Sequence, residues 1–246
     1  MINEKDFVYE IEPDVSELNE YGYLKPYAYQ NLFSAIAEKH LNRINLNVDT
    51  TMKYGLAWVL ISISLEIMKP VKGCIKLFAQ TWHSQKKGPF FRRELVFKDE
   101  NNNLLFHGST FSVLLDLETR SVFRKKEAPF YIGSPISEFT IDANPSFKTD
   151  ITLNEVDRRK VYNSYIDCLG HVNNTRYGEF AYDALNDEEK ENLHKMKRYE
   201  VFFLSELRDK DIFSVQKGRM NDRIIIRGVN ETNCDTSFDV LIDFDK

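Results

Sequence analysis

The sequence predicts an α+β chain in which one unit, a long helix wrapped by a strongly curved antiparallel β-sheet, occurs twice in tandem. Three observations carry this expectation: two amphipathic helical segments, a series of β-branched and aromatic segments after each, and landmarks of the first series that return in the second. A length of 246 residues is enough to bury a sizeable core. Apolar residues at 42% and charged residues at 29% are an ordinary globular balance, which excludes a disordered or low-complexity chain.

The first helix follows Pro26, whose fixed φ suits the first helical position. Tyr29, Leu32, Phe33, Ile36, Ala37, His40, Leu41 and Ile44 then recur at spacings of three and four and form one broad apolar stripe. Segments 75–82, 91–98 and 104–117 read as strands, with DENNN at 99–103 as a hairpin turn. The second helix follows Asn173 and Asn174, either of which can cap it. Its stripe is Tyr177, Phe180, Ala181, Ala184 and Leu185, and the charged run NDEEKEN at 186–192 is expected to break it. Segments 199–205, 211–217, 223–229 and 237–244 read as the second set of strands.

Laying one half over the other supports a duplication. Gly22-Tyr23-Leu24 and Tyr29 match Gly170-His171-Val172 and Tyr177 at an offset of 148. Phe111, Val113, Leu114 and Asp116 match Phe238, Val240, Leu241 and Asp243 at an offset of 127, so the first copy is longer by 21 residues between these landmarks. The expected organisation is a first copy at 1–124, a linker at 125–154 and a second copy at 155–246. The linker holds three of the seven prolines and shows no sustained period.

Composition narrows the partners. The net charge of −5 and pI near 5.6 argue against a nucleic-acid binder, which would usually be basic. Three distant cysteines (Cys74, Cys168, Cys234) give neither a disulfide framework nor a metal knuckle and suit a reducing compartment. The N-terminus is acidic and polar, unlike a signal peptide. The most apolar window, 55–68, is too short for a membrane span and carries two serines and a glutamate. The expected location is the cytoplasm. No GxSxG, P-loop, HExxH or GxGxxG motif occurs, and His40, His83, His107, His171 and His194 show no metal-ligand spacing, so neither metal nor organic cofactor is expected.

The stretch Asp167 to Tyr177 reads DCLGHVNNTRY. It resembles the D-x-N-x-H-V-N-N-x-x-Y signature of the acyl-acyl-carrier-protein thioesterases, the plant plastid enzymes and their bacterial relatives. Trp58-Val59-Leu60, Thr81-Trp82, Phe91-Arg92-Arg93 and the run DLETR at 116–120 resemble that family's landmarks in the first half. The resemblance spans nearly the whole chain and implies a tandem hot-dog fold that hydrolyses fatty acyl-carrier-protein thioesters. It implies acyl carrier protein as partner and a fatty acyl chain as substrate, bound by the first copy. Hot-dog units typically pair edge to edge; here one chain supplies both, and a homodimer of such chains is also compatible. In one departure, Leu169 stands where the family has an asparagine. A non-catalytic hot-dog protein that binds or senses acyl thioesters is the alternative this keeps open. A hot-dog dehydratase is disfavoured, because the proline- and glycine-rich histidine loop of that group is absent.

Thioester hydrolysis needs an activated water or nucleophile and donors aimed at the developing oxyanion. A glycine–histidine turn running into a helix start offers backbone N–H groups, and Gly170 lets that backbone approach the acyl carbonyl. The resemblance maps the family's strand-region glutamate onto Glu206, with Asp211 downstream. Glu206 can be the general base, with His171 positioning the water or the carbonyl; Asp167 can orient His171 or be the base itself. Asn173 belongs to the motif as a polar site group or as a cap. Cys168, without a histidine-activated pattern, reads as a small, partly buried residue. The carrier is acidic, so a basic face is expected among Lys86-Lys87, Arg92-Arg93, Arg120 with Arg124-Lys125-Lys126, and Arg158-Arg159-Lys160.

Overall fold

The computed structural model describes residues 3–125, 127–167 and 169–245. In chain order its elements are β1 (Tyr9–Ile11), α1 (Pro26–Arg43), α2 (Val48–Met52), β2 (Leu56–Ile67), β3 (Leu77–Lys87), β4 (Phe90–Lys98), β5 (Leu104–Asp116), β6 (Ser121–Val122), β7 (Asn154–Lys160), α3 (Asn174–Asp183), α4 (Asp187–Glu191), β8 (Met196–Phe203), β9 (Ile212–Met220), β10 (Arg223–Asn230) and β11 (Thr236–Phe244). The strands form one antiparallel sheet in the order β1-β3-β4-β5-β2-β8-β11-β10-β9-β7, with β6 paired to β5. This order reads the same from either end once the copies are exchanged, and the exchange point is the β2–β8 ladder, Ser62 opposite Phe202 through Glu66 opposite Arg198. The α+β tandem hot-dog class holds.

Each copy buries its helix against the concave face of its half of the sheet. In the first, Phe33 stacks on Phe97 at 5.4 Å and Phe97 on Phe106 at 4.3 Å. In the second, Tyr177 stacks on Phe238 at 5.0 Å and Phe180 meets Phe213 at 5.0 Å. These rings are almost wholly buried, each worth roughly 1.5–3 kcal/mol of apolar burial. The helices also touch each other at Gly178. A Cβ there would lie 2.7–2.8 Å from the Tyr199 hydroxyl, Gln30 Oε1 and Tyr27 Cβ, so only glycine fits. Gln30 Nε2 donates to Asn174 O at 2.8 Å across the same contact.

Four features go beyond the sequence reading. The apolar window at 55–68 is mostly β2, which joins the two copies through its ladder with β8; its apolar start gives way to alternation at Ser62, Ser64 and Glu66 where that ladder runs. The run 186–192 does not simply end the helix: Asn186 caps a new short helix, α4, through a reciprocal bond with Glu189. Short β1 and β7 escape sequence reading because each pairs with one neighbour only. Among the described residues of 125–153 there is no regular structure, yet the segment is packed. It runs along the convex face, seating Ile141 and Ala143 on Phe111, and Phe147, Ile151 and Leu153 on Phe202, Ile225 and Leu241. Buried Glu94 pins it, accepting from the Thr140 N–H and hydroxyl at 3.0 and 2.7 Å, while Arg92 donates to Ile141 O at 2.6 Å.

Candidate active site

The repeated unit builds one turn twice, bond for bond. Before α1, the Asn19 N–H donates to Tyr23 O, the Gly22 N–H to Asn19 O and the Leu24 N–H to Val71 O, at 2.8, 2.9 and 3.0 Å. Before α3, the Asp167 N–H donates to His171 O, the Gly170 N–H to Asp167 O and the Val172 N–H to Leu207 O, at 3.0, 3.1 and 2.8 Å. Tyr29 accepts from the Val71 N–H at 3.1 Å as Tyr177 accepts from the Leu207 N–H at 3.2 Å. Gly170 sits at φ 81°, in the left-handed region that glycine enters without strain.

Side chains give the second turn its chemistry. His171 Nδ1 lies 3.6 Å from Asp167 Oδ2 and 3.2 Å from Val172 O. Both neighbours are acceptors, so Nδ1 carries the hydrogen and a neutral ring leaves its lone pair on Nε2. Asp167 is itself held, with Oδ1 accepting the Leu169 N–H at 2.9 Å. Asn173 caps α3, its Oδ1 accepting from the Thr175 N–H at 3.0 Å and the Thr175 hydroxyl at 2.7 Å, which leaves its Nδ2 pointing away from the cap. The Gly170 N–H is occupied by Asp167 O, so Gly170 shapes the turn and donates nothing to a ligand. Among the described residues the N–H groups of His171 and Asn174 meet no acceptor, and they stand at the positive end of α3. Leu169 is half exposed, and Cys168 lies outside the described residues.

Glu206 is not on a strand. β8 stops pairing at Phe203, and the Leu204 and Ser205 N–H groups both turn to Ser237 O, so Glu206 lies in the loop 204–211. Its exposed carboxylate is 2.8 Å from Arg208 Nη2 and 3.6 Å from Arg120 Nη2. It reaches the turn through backbone, because the next residue, Leu207, accepts from Val172. Burial pushes Tyr177 up to about 12; the Leu207 N–H opposes this, and the charges of Glu206, Asp167 and Asp211 add to it, so the phenol stays protonated at neutral pH. Asp211 staples the loop, bonding the Arg208 N–H and Asn230 Nδ2. Sequence reading missed the Arg120–Glu206 link: DLETR marked a landmark, and nothing local says that its arginine meets the other copy.

A cavity of about 100 Å³ opens in the first copy between α1 and β2, β4 and β5, walled by Phe33, Ala37, Leu41, Trp58, Leu60 and Phe91 among others. It starts one helical turn beyond Gln30, the residue bonded to the start of α3. Trp82 lies elsewhere and donates to Glu138 O. Of the expected basic groups, Arg92 and Arg93 are internal, paired with Glu94 and Glu4. Arg158 pairs with Glu231, Arg159 with Asp157 and Asp183. Arg120, Arg124 and Lys125 are exposed, Arg120 beside Glu206, and Lys126 lies outside the described residues. No described helix is long and apolar enough to cross a membrane, and no described cluster of three His, Cys, Asp or Glu side chains could hold a metal.

The family model of the acyl-ACP thioesterase N-terminal domain matches residues 6–128, half of the chain. The chain belongs to the acyl-ACP thioesterase family. It is a thioester hydrolase acting on fatty acyl-ACP. Its fold is similar to that of an acyl-ACP thioesterase from Bacteroides thetaiotaomicron, with a TM-score of 0.83 at 18% identity over 99% of this chain and 100% of that one. It is also similar to the 12:0-ACP thioesterase of Umbellularia californica, with a TM-score of 0.81 at 13% identity over 97% and 96%. A MaoC-like dehydratase from Phytophthora capsici aligns less well, at 0.52 and 13% over 77% and 72%. No curated protein sequence matches the chain.

Proposed function

We propose that the second copy of this acyl-ACP thioesterase cuts the thioester while the first copy holds the acyl chain. His171 Nε2 takes a proton from the attacking water, and Asp167 fixes the ring and stabilises the imidazolium that forms. The N–H groups of His171 and Asn174, with Asn173 Nδ2, face the developing oxyanion at the start of α3. Glu206, held by Arg120 and Arg208, orders the polar mouth and ties it to the first copy. The observation that carries this reading is the Asp167–His171 pair, which leaves Nε2 as the free basic nitrogen.

The first copy (1–124) supplies the cavity, the second (155–246) supplies the reacting groups, and 125–154 connects them. The acidic carrier docks against an exposed basic face that includes Arg120 and Arg208, both held at Glu206, with Arg124 and Lys125 following Arg120 in the chain. The β2–β8 ladder completes the two-copy unit within one chain, so this reading needs no homodimer. A cytoplasmic setting suits the free, exposed thiols of Cys74 and Cys234. Asp167→Asn should lower kcat by about 100-fold with KM nearly unchanged, measured on acyl-ACP by release of the carrier thiol. A near-normal rate in that variant, with a larger loss in Glu206→Gln, would move the base to Glu206.

A further inference from the structure

The cavity of the first copy has one end near the second copy and one end away from it. Phe33 lines the near end, one helical turn beyond Gln30, together with Ile63, which pairs with Val201 across the β2–β8 ladder. Leu41 on α1, Leu46 beyond the end of that helix, Trp58 near the start of β2 and Phe91 on β4 line the far end. Most of this far wall is locked. Leu46 and Phe91 are buried, the Trp58 Nε1–H donates to Leu46 O at 3.3 Å, and the Trp58 ring meets Phe91 edge-on at 5.0 Å. The remaining piece is Ile132, half-buried, which belongs to neither copy but to the segment between them.

Ile132 differs from its neighbours in what lies behind it. Two wider clefts adjoin the cavity, of about 590 and 440 Å³. The first runs past residues 43–46 and 131–136 and shares Leu46 with the cavity; the second runs past Lys86 and residues 127–133 and shares His83 and Phe91 with it. Among the described residues only Ile132 lines all three, so its side chain stands between the cavity and both clefts. The backbone around it is fixed at two points, where the Phe123 N–H donates to Leu114 O at 2.8 Å and the Ile136 N–H to His83 O at 2.9 Å. Between these points the described residues make no hydrogen bond, and Ile132 is held by packing on Leu56, Phe91 and Leu114. Gly133, at φ 89°, turns the chain directly after it. A substitution at 132 therefore reshapes the end wall without breaking a hydrogen bond or a strand.

We propose that Ile132 is the stop against which the tail of the acyl chain is measured, so that the segment joining the copies sets the chain length this enzyme prefers. The inference rests on the reading that the acyl chain occupies this cavity. Size supplies the reason. An apolar cavity of roughly 150 Å³ receives a benzene ring, so one of about 100 Å³ receives roughly four chain carbons, and a longer chain meets Ile132. Shortening that side chain opens the cavity toward space already present behind it, whereas enlarging it fills the far end.

The test uses the full chain and a ladder of saturated acyl-carrier-protein thioesters, with kcat/KM measured at each length. In Ile132→Ala, kcat/KM for chains longer than the wild-type optimum should rise about 10-fold relative to that optimum, the scale of two more buried methylenes. A gain on longer chains is a result that a merely loosened fold does not give. Ile132→Phe should move the optimum toward shorter chains. Tyr131→Ala, at a side chain that is 77% exposed and lines the clefts but not the cavity, should leave the profile unchanged. Wild-type profiles in both Ile132 variants overturn the proposal. So does a shift in Tyr131→Ala equal to that in Ile132→Ala, which would assign the effect to the segment as a whole. Ala37→Phe, midway along the cavity wall, separates this inference from the reading beneath it. A shift to shorter chains there, with no response at 132, removes this inference alone, whereas an unchanged profile there removes the cavity reading and this inference with it.

Discussion

At the turn before α1, Tyr23 lies against the His194 ring at 5.9 Å with Lys72 Nζ 5.1 Å above it, and Lys25 stands at the helix start without a side-chain cap bond. At the turn before α3, His171 pairs with Asp167, and Asn173 caps the helix. The backbones are the same to within 0.2 Å in every hydrogen bond compared above. The frame is thus a requirement of the fold, needed to seat either helix, and on the reading proposed above the hydrolytic chemistry belongs to three or four side chains mounted on one of its two copies. Conversely, the apolar cavity described above opens beside the first helix, along Phe33, Ala37 and Leu41.

Substitutions at matched positions break or sharpen this division. His171→Ala should lower turnover of acyl-ACP by roughly 1000-fold, within the range for losing a positioned proton acceptor, while Tyr23→Phe should stay within a few-fold of wild type. Equal damage from both, in steady-state kinetics, would mean that the copies share the chemistry. Glu206→Gln should cost about 10-fold, the scale of one charge-assisted contact, because its carboxylate organises Arg120 and Arg208. Smaller still is the effect of salt. Raising ionic strength to about 0.5 M should slow carrier substrates several-fold more than matched small-thiol esters, since attraction of an acidic carrier to Arg120, Arg124 and Lys125 is screened over ~10 Å at 0.1 M. Identical salt curves for the two substrates would remove docking from that face.

Much of this was legible before any coordinates. The stripes from Tyr29 and from Tyr177 predict α1 and α3 because helical spacing is local, and the 148 offset shows up as paired hydrogen bonds at Asn19 and Asp167. The motif around His171 also marks the turn in which the structure sets His171 beside Asp167. What stayed hidden is non-local. Glu206 looked like a strand residue because 199–205 carries strand-like residues, but the strand ends where its partner β11 can no longer follow. Arg92 and Arg93 read as surface cations until burial opposite Glu94 and Glu4 showed otherwise. His83, Arg93 and Thr110 line the cavity from three different strands, so no single stretch of sequence contains its wall.

The ladder between β2 and β8 also has a consequence for synthesis. β2 ends at Ile67 and its outer partner begins at Met196, so 129 residues must emerge before that edge is covered. At about 5–20 residues per second this takes roughly 6 to 26 s. Throughout that interval a twelve-residue, largely apolar strand offers an open row of backbone donors and acceptors, the usual template for unwanted pairing. The first copy is therefore an aggregation-prone nascent intermediate that waits for its twin, and the fused gene keeps the wait short by making the twin on the same ribosome. A chain ended at residue 153 should reproduce that intermediate indefinitely, running in sedimentation velocity as dimers or larger species; a stable soluble monomer would show that the first copy can close on its own.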